Sequence, residues 1–463
     1  MAIVTKGVEP ASALLAAAPS AWLAEWAAFA ARTRFADIPA DITAHARLVL
    51  LDCIGAIAAG AQEAEVQALA ARMIARDGAG DSPVIGLALS ARPGTAAFLN
   101  GTAGTMLELD EGNQYARGHP AIHVVPALLA APRGDGAGLL TALCLGYEIG
   151  ARVGIASKLN VAMHPHGTWG TLGAAIGIAK LHGATPPEFV QAITMASTLG
   201  LATSRRTMLE GGTVRNVYAG VSNMLGLTCW DLVRAGFEGE RDGVATIFGH
   251  VSASDFQPAE MLRDLGTRWE IGRNYFKRHA ACRYTHGALD AMALIVAKTG
   301  RLMPEQVRKI EVETYVWAAQ LDSPVALNML AAKFSIPFAL ATFVAHGAAT
   351  VPAFRGPARA DPAIQALAGR VTVNEDAALT AMLPGLRPAN LRVTLADGSV
   401  HSAGVTTNRG DIEDPYTETD VRQKFRELAD PVFGPARASA IEDAVLALGP
   451  HDEASALIEL VTR

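Results

Sequence analysis

From about residue 41 to residue 250, apolar positions recur every three to four residues and are interrupted by glycine or proline, which predicts one helix after another. The first such run covers residues 41–60. Asp41 is placed to cap it, Ile42, Leu48, Val49, Leu51, Ile54 and Ile57 repeat near helical period, and Gly60 closes it. Residues 62–75 follow, with Val66, Leu69, Met73 and Ile74 on one side and Gly78 and Gly80 as stop signals. Further helical runs are predicted at 94–107, 120–130, 138–157, 170–181, 187–199 and 218–235. Gly170, Gly173, Ala174 and Gly177 share neighbouring ridge positions, which suits close helix–helix packing. No period of 20–50 residues recurs, so a solenoid is not supported.

The period changes after about residue 270. Residues 307–316 alternate, with Ile310, Val312 and Tyr315 interrupted by Glu311, Glu313 and Thr314. Residues 370–373 and 390–395 look alike, and the second leads through Asp397-Gly398 into 400–405, a hairpin signal. Helical segments at 287–299, 329–344 and 362–368 lie between these strands, and residues 419–428 and 438–448 return to helix. The predicted fold class is therefore mainly α: a large all-helical domain with a smaller α+β domain. Residues 12–272 form the first part, 273–410 the α+β domain, and 411–463 a segment that returns to the helices.

Composition narrows the class. Of 463 residues, 50% are hydrophobic and 18% charged, which excludes a disordered or fibrous chain. Domains of roughly 150 residues would make this a chain of two or three. The 39 basic and 45 acidic residues give a net charge of -6, so no overall footprint for nucleic acid exists. Cys53, Cys144, Cys229 and Cys282 lie far apart with no CxxC pair, which fits free thiols in a reducing compartment. Residues 159–179 and 334–354 lack charge over about a bilayer's length. The first is broken by Asn160, His164, Pro165, His166 and four glycines, the second by Ser335, Pro337, His346 and Pro352, so neither reads as a span. The short apolar run at 14–18 follows Glu9 and Pro10 and is unlike a secretory signal. The expectation is a cytoplasmic protein with no membrane and no nucleic-acid partner.

Four places concentrate polar groups in apolar surroundings. The first runs from Glu108 through Asp110 and Glu111 to His119-Pro120 and His123. Pro120 suits a first helical turn, so His119 is expected at a helix N-terminus, where the dipole favours a neutral imidazole or a bound anion. The alternative is a capped loop with solvated charges. The second is His164-Pro165-His166-Gly167-Thr168-Trp169-Gly170, which contains neither GxGxxG nor GxxxxGK[ST], so no dinucleotide or phosphate cradle is expected. His119 and His123 have the spacing of a zinc-binding helix pair, but the sequence between them lacks the glutamate of HExxH, and no metal is assigned. The third place, Ser204-Arg205-Arg206 with Arg215 beyond Gly211-Gly212, suits carboxylate binding or a solvated basic loop. The fourth, Lys277-Arg278-His279 to Cys282-Arg283-Tyr284-Thr285-His286, falls where the composition changes. It suits an interdomain site for an anionic small molecule or a basic helix start facing solvent, with Cys282 a structural thiol.

Together these segments resemble the MmgE/PrpD family, which includes 2-methylcitrate dehydratases, cis-aconitate decarboxylases and iminodisuccinate epimerases. The resemblance spans nearly the whole chain. It is carried by the acidic loop around Asp110 with His119-Pro120, by Gly146-Tyr147-Glu148, and by His164-Pro165 leading to Gly173-Ala174-Ala175. Ala219-Gly220 with Asn223, Lys277 with Cys282-Arg283-Tyr284-Thr285-His286, and Phe334-Ser335-Ile336-Pro337 complete it. It implies a helical large domain with an α+β lid, a homodimer, and an interdomain site for small di- or tricarboxylates that needs no metal or organic cofactor. Asp110, His119, His164 and Lys277 fall on matching site positions. Arg215 stands where many members have lysine, Tyr218 where they have histidine, and Cys282 where the decarboxylases have histidine. His286 matches a histidine of many members, and His166 falls where others often carry serine or threonine.

The expected activity is a cofactor-independent, dehydratase-like lyase that labilises a proton α to a carboxylate. Epimerisation or decarboxylation is the alternative, then a noncatalytic carboxylate-binding protein or a helical scaffold. His164 and His119 are the candidates for base and acid, oriented by Asp110, with Lys277 and Tyr147 completing the catalytic set. Arg215, Arg206, Arg283, His166 and His286 are the expected substrate-binding residues.

Overall fold

The computed structural model describes residues 20–131 and 134–462. The apolar run at 14–18 lies outside the described residues. Long helices come first: α1 (Ala40–Gly60), α2 (Pro93–Met106), α3 (Gly136–Ala156), α4 (Gly170–Leu181) and α5 (Tyr218–Arg234). They pack on one another, α3 against α4, α4 against α5 and α5 against α2. Glycines set how closely. A Cβ on Gly146 of α3 would fall 2.6 Å from the Gly173 carbonyl oxygen of α4. At the α2–α5 crossing, a Cβ on Gly220 would fall 2.3 Å from the Phe98 carbonyl oxygen and 2.5 Å from Thr102 Oγ1. Gly220→Ala would gain about 1 kcal/mol of helix propensity. The clashing atoms include backbone that cannot turn aside, so the expected net result is a loss of about 1–3 kcal/mol, read as a lower urea midpoint.

The α+β part is a four-stranded sheet of β1 (Val307–Thr314), β2 (Val371–Glu375), β3 (Ala389–Leu395) and β4 (Val400–Val405) in the order β4-β3-β1-β2. β1 and β2 are parallel and the other pairs antiparallel, with Ile310 opposite Val371 on one side and Val393 on the other. Val307, Ile310 and Val312 are buried, as are Ala389, Leu391 and Val393, while Arg392 and Glu313 are exposed. The helix α6 (His286–Thr299) covers the β3–β4 side of the sheet. After the sheet, α7 (Glu418–Phe433) lies against α1. Buried apolar residues from Trp22 to Val461 form one continuous cluster through both parts. The fold is mainly α with a smaller α+β domain, as the two periods imply.

Several local expectations need correction. Pro39, not Asp41, is the N-cap of α1, and Asp41 sits in its first turn. Residues 120–130 do not form one helix: a 3-10 turn at Ala121–His123 precedes Val125–Ala130, because Pro126 restarts the helix at its own first turn. Residues 329–344 break into Met329–Lys333 and Ile336–His346, since Ser335 caps the second helix by accepting from the Phe338 amide at 3.0 Å. The two charge-free stretches are broken as expected. Instead α1 and α3, 21 residues each, are long and apolar enough to cross a membrane, with 67% and 94% of their most apolar windows buried inside the fold. Their apolar surface is used in helix packing.

Candidate active site

The loop that leaves α2 carries the acidic residues and is folded back on the Lys277 segment. Gly112 and Asn113 pair antiparallel with Tyr275 and Asn274, and Asn113 bridges to Gly118. Asn113 Oδ1 accepts from the amides of Tyr115 and Ala116, both at 2.9 Å, and fixes the turn. Two of its residues, Glu108 (φ 54°) and Arg117 (φ 59°), hold left-handed backbone without being glycine. Such strain persists where surrounding contacts enforce it and gathers at functional sites. Both line the same cleft.

That cleft lies between the helical and α+β parts. It is lined by Glu108, Arg117, His119, His164, His166, Arg205, Arg215, Arg283 and Arg387, with Pro165, Met208, Tyr275, Cys282, Tyr284 and Phe334. Its free space is about 480 Å³, including the part open to solvent. Five arginines face one lining carboxylate, so the cleft is an anion site inside a chain of net negative charge. Glu108 pairs with Arg215, and Lys277 Nζ stands 3.4 Å from Glu108 Oε2 and 3.5 Å from Asp110 Oδ1. Arg283 pairs with Asp411 and lies over the Tyr275 ring at 4.4 Å. Arg117 donates to the carbonyls of Gly154 and Ser157, Arg205 stacks over Trp317 at 4.1 Å, and Arg387 donates to the Gln114 carbonyl.

His119 is oriented by two oxygens. Its Nδ1 lies 2.6 Å from the Glu111 carbonyl and 3.1 Å from Asp110 Oδ2, which makes Nδ1–H the donor and leaves Nε2 as the basic nitrogen. It precedes a three-residue 3-10 turn rather than an α-helix, so hydrogen bonding rather than a helix dipole fixes its tautomer. Burial alone would raise the Asp110 pKa; His119 and then Lys277 hold it well below the usual carboxylate range. Lys277 is pulled the other way from its own burial, raised by Asp110 and Glu108. Asp110 and Lys277 are fully buried and lie beneath the cleft wall rather than on it. His164 Nδ1 accepts the His166 amide at 3.1 Å, so its neutral ring carries the proton on Nε2. Burial, then Arg215 and Arg205, push its pKa well down.

Three expected residues are placed elsewhere. Tyr147 is fully buried behind the loop, where its hydroxyl donates to Glu111 Oε2 at 3.0 Å. His286 is buried behind Arg283, its Nδ1 3.1 Å from that guanidinium, and does not line the cleft. Arg206 is turned to solvent, its side chain 82% exposed and paired with Glu210, while its neighbour Arg205 faces the cleft. Arg215, Arg283 and His166 do line it. The cleft residues the sequence did not mark are Arg387, Tyr275 and Met208, while Phe334 belongs to a segment that carried the family resemblance. Arg117 and Arg205 lay inside marked segments, whereas nothing around Arg387 distinguishes it.

Glu111 links the loop to its support: Oε1 accepts the Ala121 amide at 2.8 Å and Oε2 the Tyr147 hydroxyl. Burial raises its pKa to about 8, from a usual 4.5. Between those values the unfolded chain ionises while the folded one keeps its proton, so stability falls as pH rises from about 4.5 to 8. Glu111→Gln removes that penalty. The variant is expected to melt closer to the parent at pH 5 and to gain on it by pH 8, in melting curves at both pH values.

Comparison with known proteins agrees with this architecture. Residues 24–255 match the MmgE/PrpD N-terminal domain and residues 279–449 the MmgE/PrpD C-terminal domain. The chain belongs to the MmgE/PrpD family, a family of dehydratase- and decarboxylase-type enzymes. It is 26% identical to a cis-aconitate decarboxylase-like protein of Aspergillus oryzae, over 92% of this chain and 94% of that protein. It is 25% identical to a cis-aconitate decarboxylase of Aspergillus terreus, covering 92% of each. With the human cis-aconitate decarboxylase the figures are 24% identity over 73% of each chain.

Proposed function

We propose that this chain is a cofactor-independent lyase of the dehydratase type, acting on a small polycarboxylate by abstraction of a proton α to a carboxylate. The observation that carries the reading is His119: Nδ1 held by the Glu111 carbonyl and Asp110, Nε2 left basic beside an arginine-lined cleft. In this reading Nε2 takes the α proton, and the electron pair spreads into the carboxylate held by Arg215 and Arg283. The β C–O bond then breaks as the C=C bond forms, and His119 returns its proton to the departing hydroxyl, which leaves as water. His164, neutral with its proton on Nε2, donates a hydrogen bond to the oxygen where charge develops; a neutral imidazole is a poor proton source but a good electrophile there. The base is thus assigned to His119 and the donor to His164. Asp110, Lys277 and Tyr147 act through the groups they hold. A cytoplasmic homodimer belongs to the same proposal.

Decarboxylation is the second reading, favoured by the names of the relatives in Aspergillus and human. It differs in losing CO2 rather than water. The test is to mix the protein with citrate, tricarballylate and cis-aconitate in D2O and follow each by proton NMR. Deuterium exchange at a carbon α to a carboxylate, with an unsaturated product, supports the dehydratase. CO2 release from cis-aconitate supports the second reading, and binding without exchange would leave a carboxylate-binding protein.

A further inference from the structure

The proposed reaction leaves one linked pair of buried histidines at the cleft unused. His166 lines the cleft and is 1% exposed, and His123 lies behind it, fully buried. His166 Nδ1 and His123 Nε2 are 3.2 Å apart, with ring centroids separated by 4.7 Å. The far nitrogens, His166 Nε2 and His123 Nδ1, are both buried and have no hydrogen-bond partner. Buried polar groups are nearly always paired, so two orphans on one linked pair require a reason.

We propose that the His166–His123 pair reads a hydroxyl group on the substrate, with His166 Nε2 accepting the hydroxyl hydrogen and His123 fixing the tautomer that makes Nε2 an acceptor. The inference rests on the polycarboxylate reading of the same cleft. The five arginines of the cleft can only donate. Glu108 is taken up by Arg215 and Lys277, and His119 Nε2 is reserved for the α proton. His164 Nδ1 accepts the His166 amide, so its Nε2 is a donor. Tyr275 and Tyr284 present their ring faces to Arg283 and Arg387. Among the described imidazoles of the cleft wall, His166 alone has a buried nitrogen without a partner. Carboxylates do not need such an acceptor; an O–H does.

The position fits the role. The His166 ring stands edge-on to His119 at 5.3 Å and to His164 at 5.9 Å, between the proposed base and the proposed donor. His119, His164, His123, Arg215 and Tyr218 are the titratable or charged groups that face it. Burial first, then Arg215, keeps His166 neutral, which a donor–acceptor pair requires. If His166 Nδ1–H donates to His123 Nε2, the remaining His123 proton sits on Nδ1. A Cβ on Gly170 would fall 2.2 Å from that nitrogen and 2.7 Å from Ser222 Oγ, itself buried without a partner. Gly170 therefore leaves the space in which His123 Nδ1 and Ser222 Oγ approach the same point.

Two probe pairs isolate the hydroxyl. Citrate is tricarballylate with one hydroxyl added, and malate is succinate with one hydroxyl added. Dissociation constants by calorimetry on the intact protein are expected to favour citrate over tricarballylate, and malate over succinate, by about tenfold or more. His166→Phe should erase that ratio while leaving tricarballylate affinity nearly unchanged, and His166→Asn, which keeps an acceptor, should restore part of it. His123→Phe should shrink the ratio, and His123→Gln, which retains the hydrogen bond, should recover it. A readout that packing alone would not move is the nitrogen NMR spectrum of histidine-labelled native protein: citrate should shift the His166 Nε2 signal and tricarballylate should not. Equal affinity within each pair, or a ratio unchanged in His166→Phe, overturns the inference and leaves the anion site standing. Failure of all four acids to bind overturns both.

Discussion

His119→Gln is expected to lower turnover about 10²–10⁴-fold while tricarballylate still binds within a few-fold of the native constant. The glutamine keeps a polar side chain near the Glu111 carbonyl and leaves the arginine cluster intact, so binding and chemistry should separate. Asp110→Asn tests the support rather than the base. The carboxylate at 3.1 Å offsets the positive charge His119 gains when it takes a proton, and asparagine cannot. The Glu111 carbonyl, at 2.6 Å, still holds Nδ1–H, so orientation survives. The loss should therefore be smaller than for His119→Gln and fall on kcat rather than KM. Steady-state rates together with a melting curve for each variant decide it. Near-native turnover in a folded His119→Gln protein would remove the base from the mechanism.

The helices were legible because small and apolar residues repeat at period 3.6 over long runs, and tertiary packing agrees with that pattern from α1 to α5. The sheet was legible for the same kind of reason: residues 307–314 and 389–405 alternate, with one face of β1 and of β3 buried and alternate residues of β4 half-buried. The misses are local competitions. Pro126 and Ser335 each restart a helix inside a run that period alone would read as continuous. Tyr147 sits on a helix in the middle of the core, and a sequence pattern does not say whether a buried hydroxyl faces a cleft or a neighbouring loop. Arg205 and Arg206 are adjacent, and a single turn of the short helix Arg205–Leu209 sends one into the cleft and the other to solvent. Arg387 arrives from the α+β part just ahead of β3, more than 100 residues from the other cleft arginines of the helical part. Only the docking of the two parts makes it a cleft residue. The four marked segments thus meet at one cleft, and the charge balance of that cleft was not readable from them.

That charge balance sets the second large expectation, because Glu108 is the single carboxylate shared by Arg215 and Lys277. Glu108→Gln leaves both cations in the interior with Asp110 as their remaining carboxylate. Removing one partner of a buried pair costs about 3–5 kcal/mol, since the orphaned charge keeps its desolvation penalty. Arg215→Met leaves Glu108 with Lys277 still 3.4 Å away, so the fold should lose less. What it loses is a rigid fork of donors for a carboxylate, and tricarballylate affinity should fall by about tenfold or more. Together the two substitutions delete the pair and its charges, leaving an apolar side chain beside Phe334, over which Arg215 now lies at 5.4 Å. The double variant should therefore be more stable than the sum of the single losses by about 1–3 kcal/mol, measured by urea unfolding of all four proteins. Additive losses would mean that Glu108 and Arg215 are not energetically coupled.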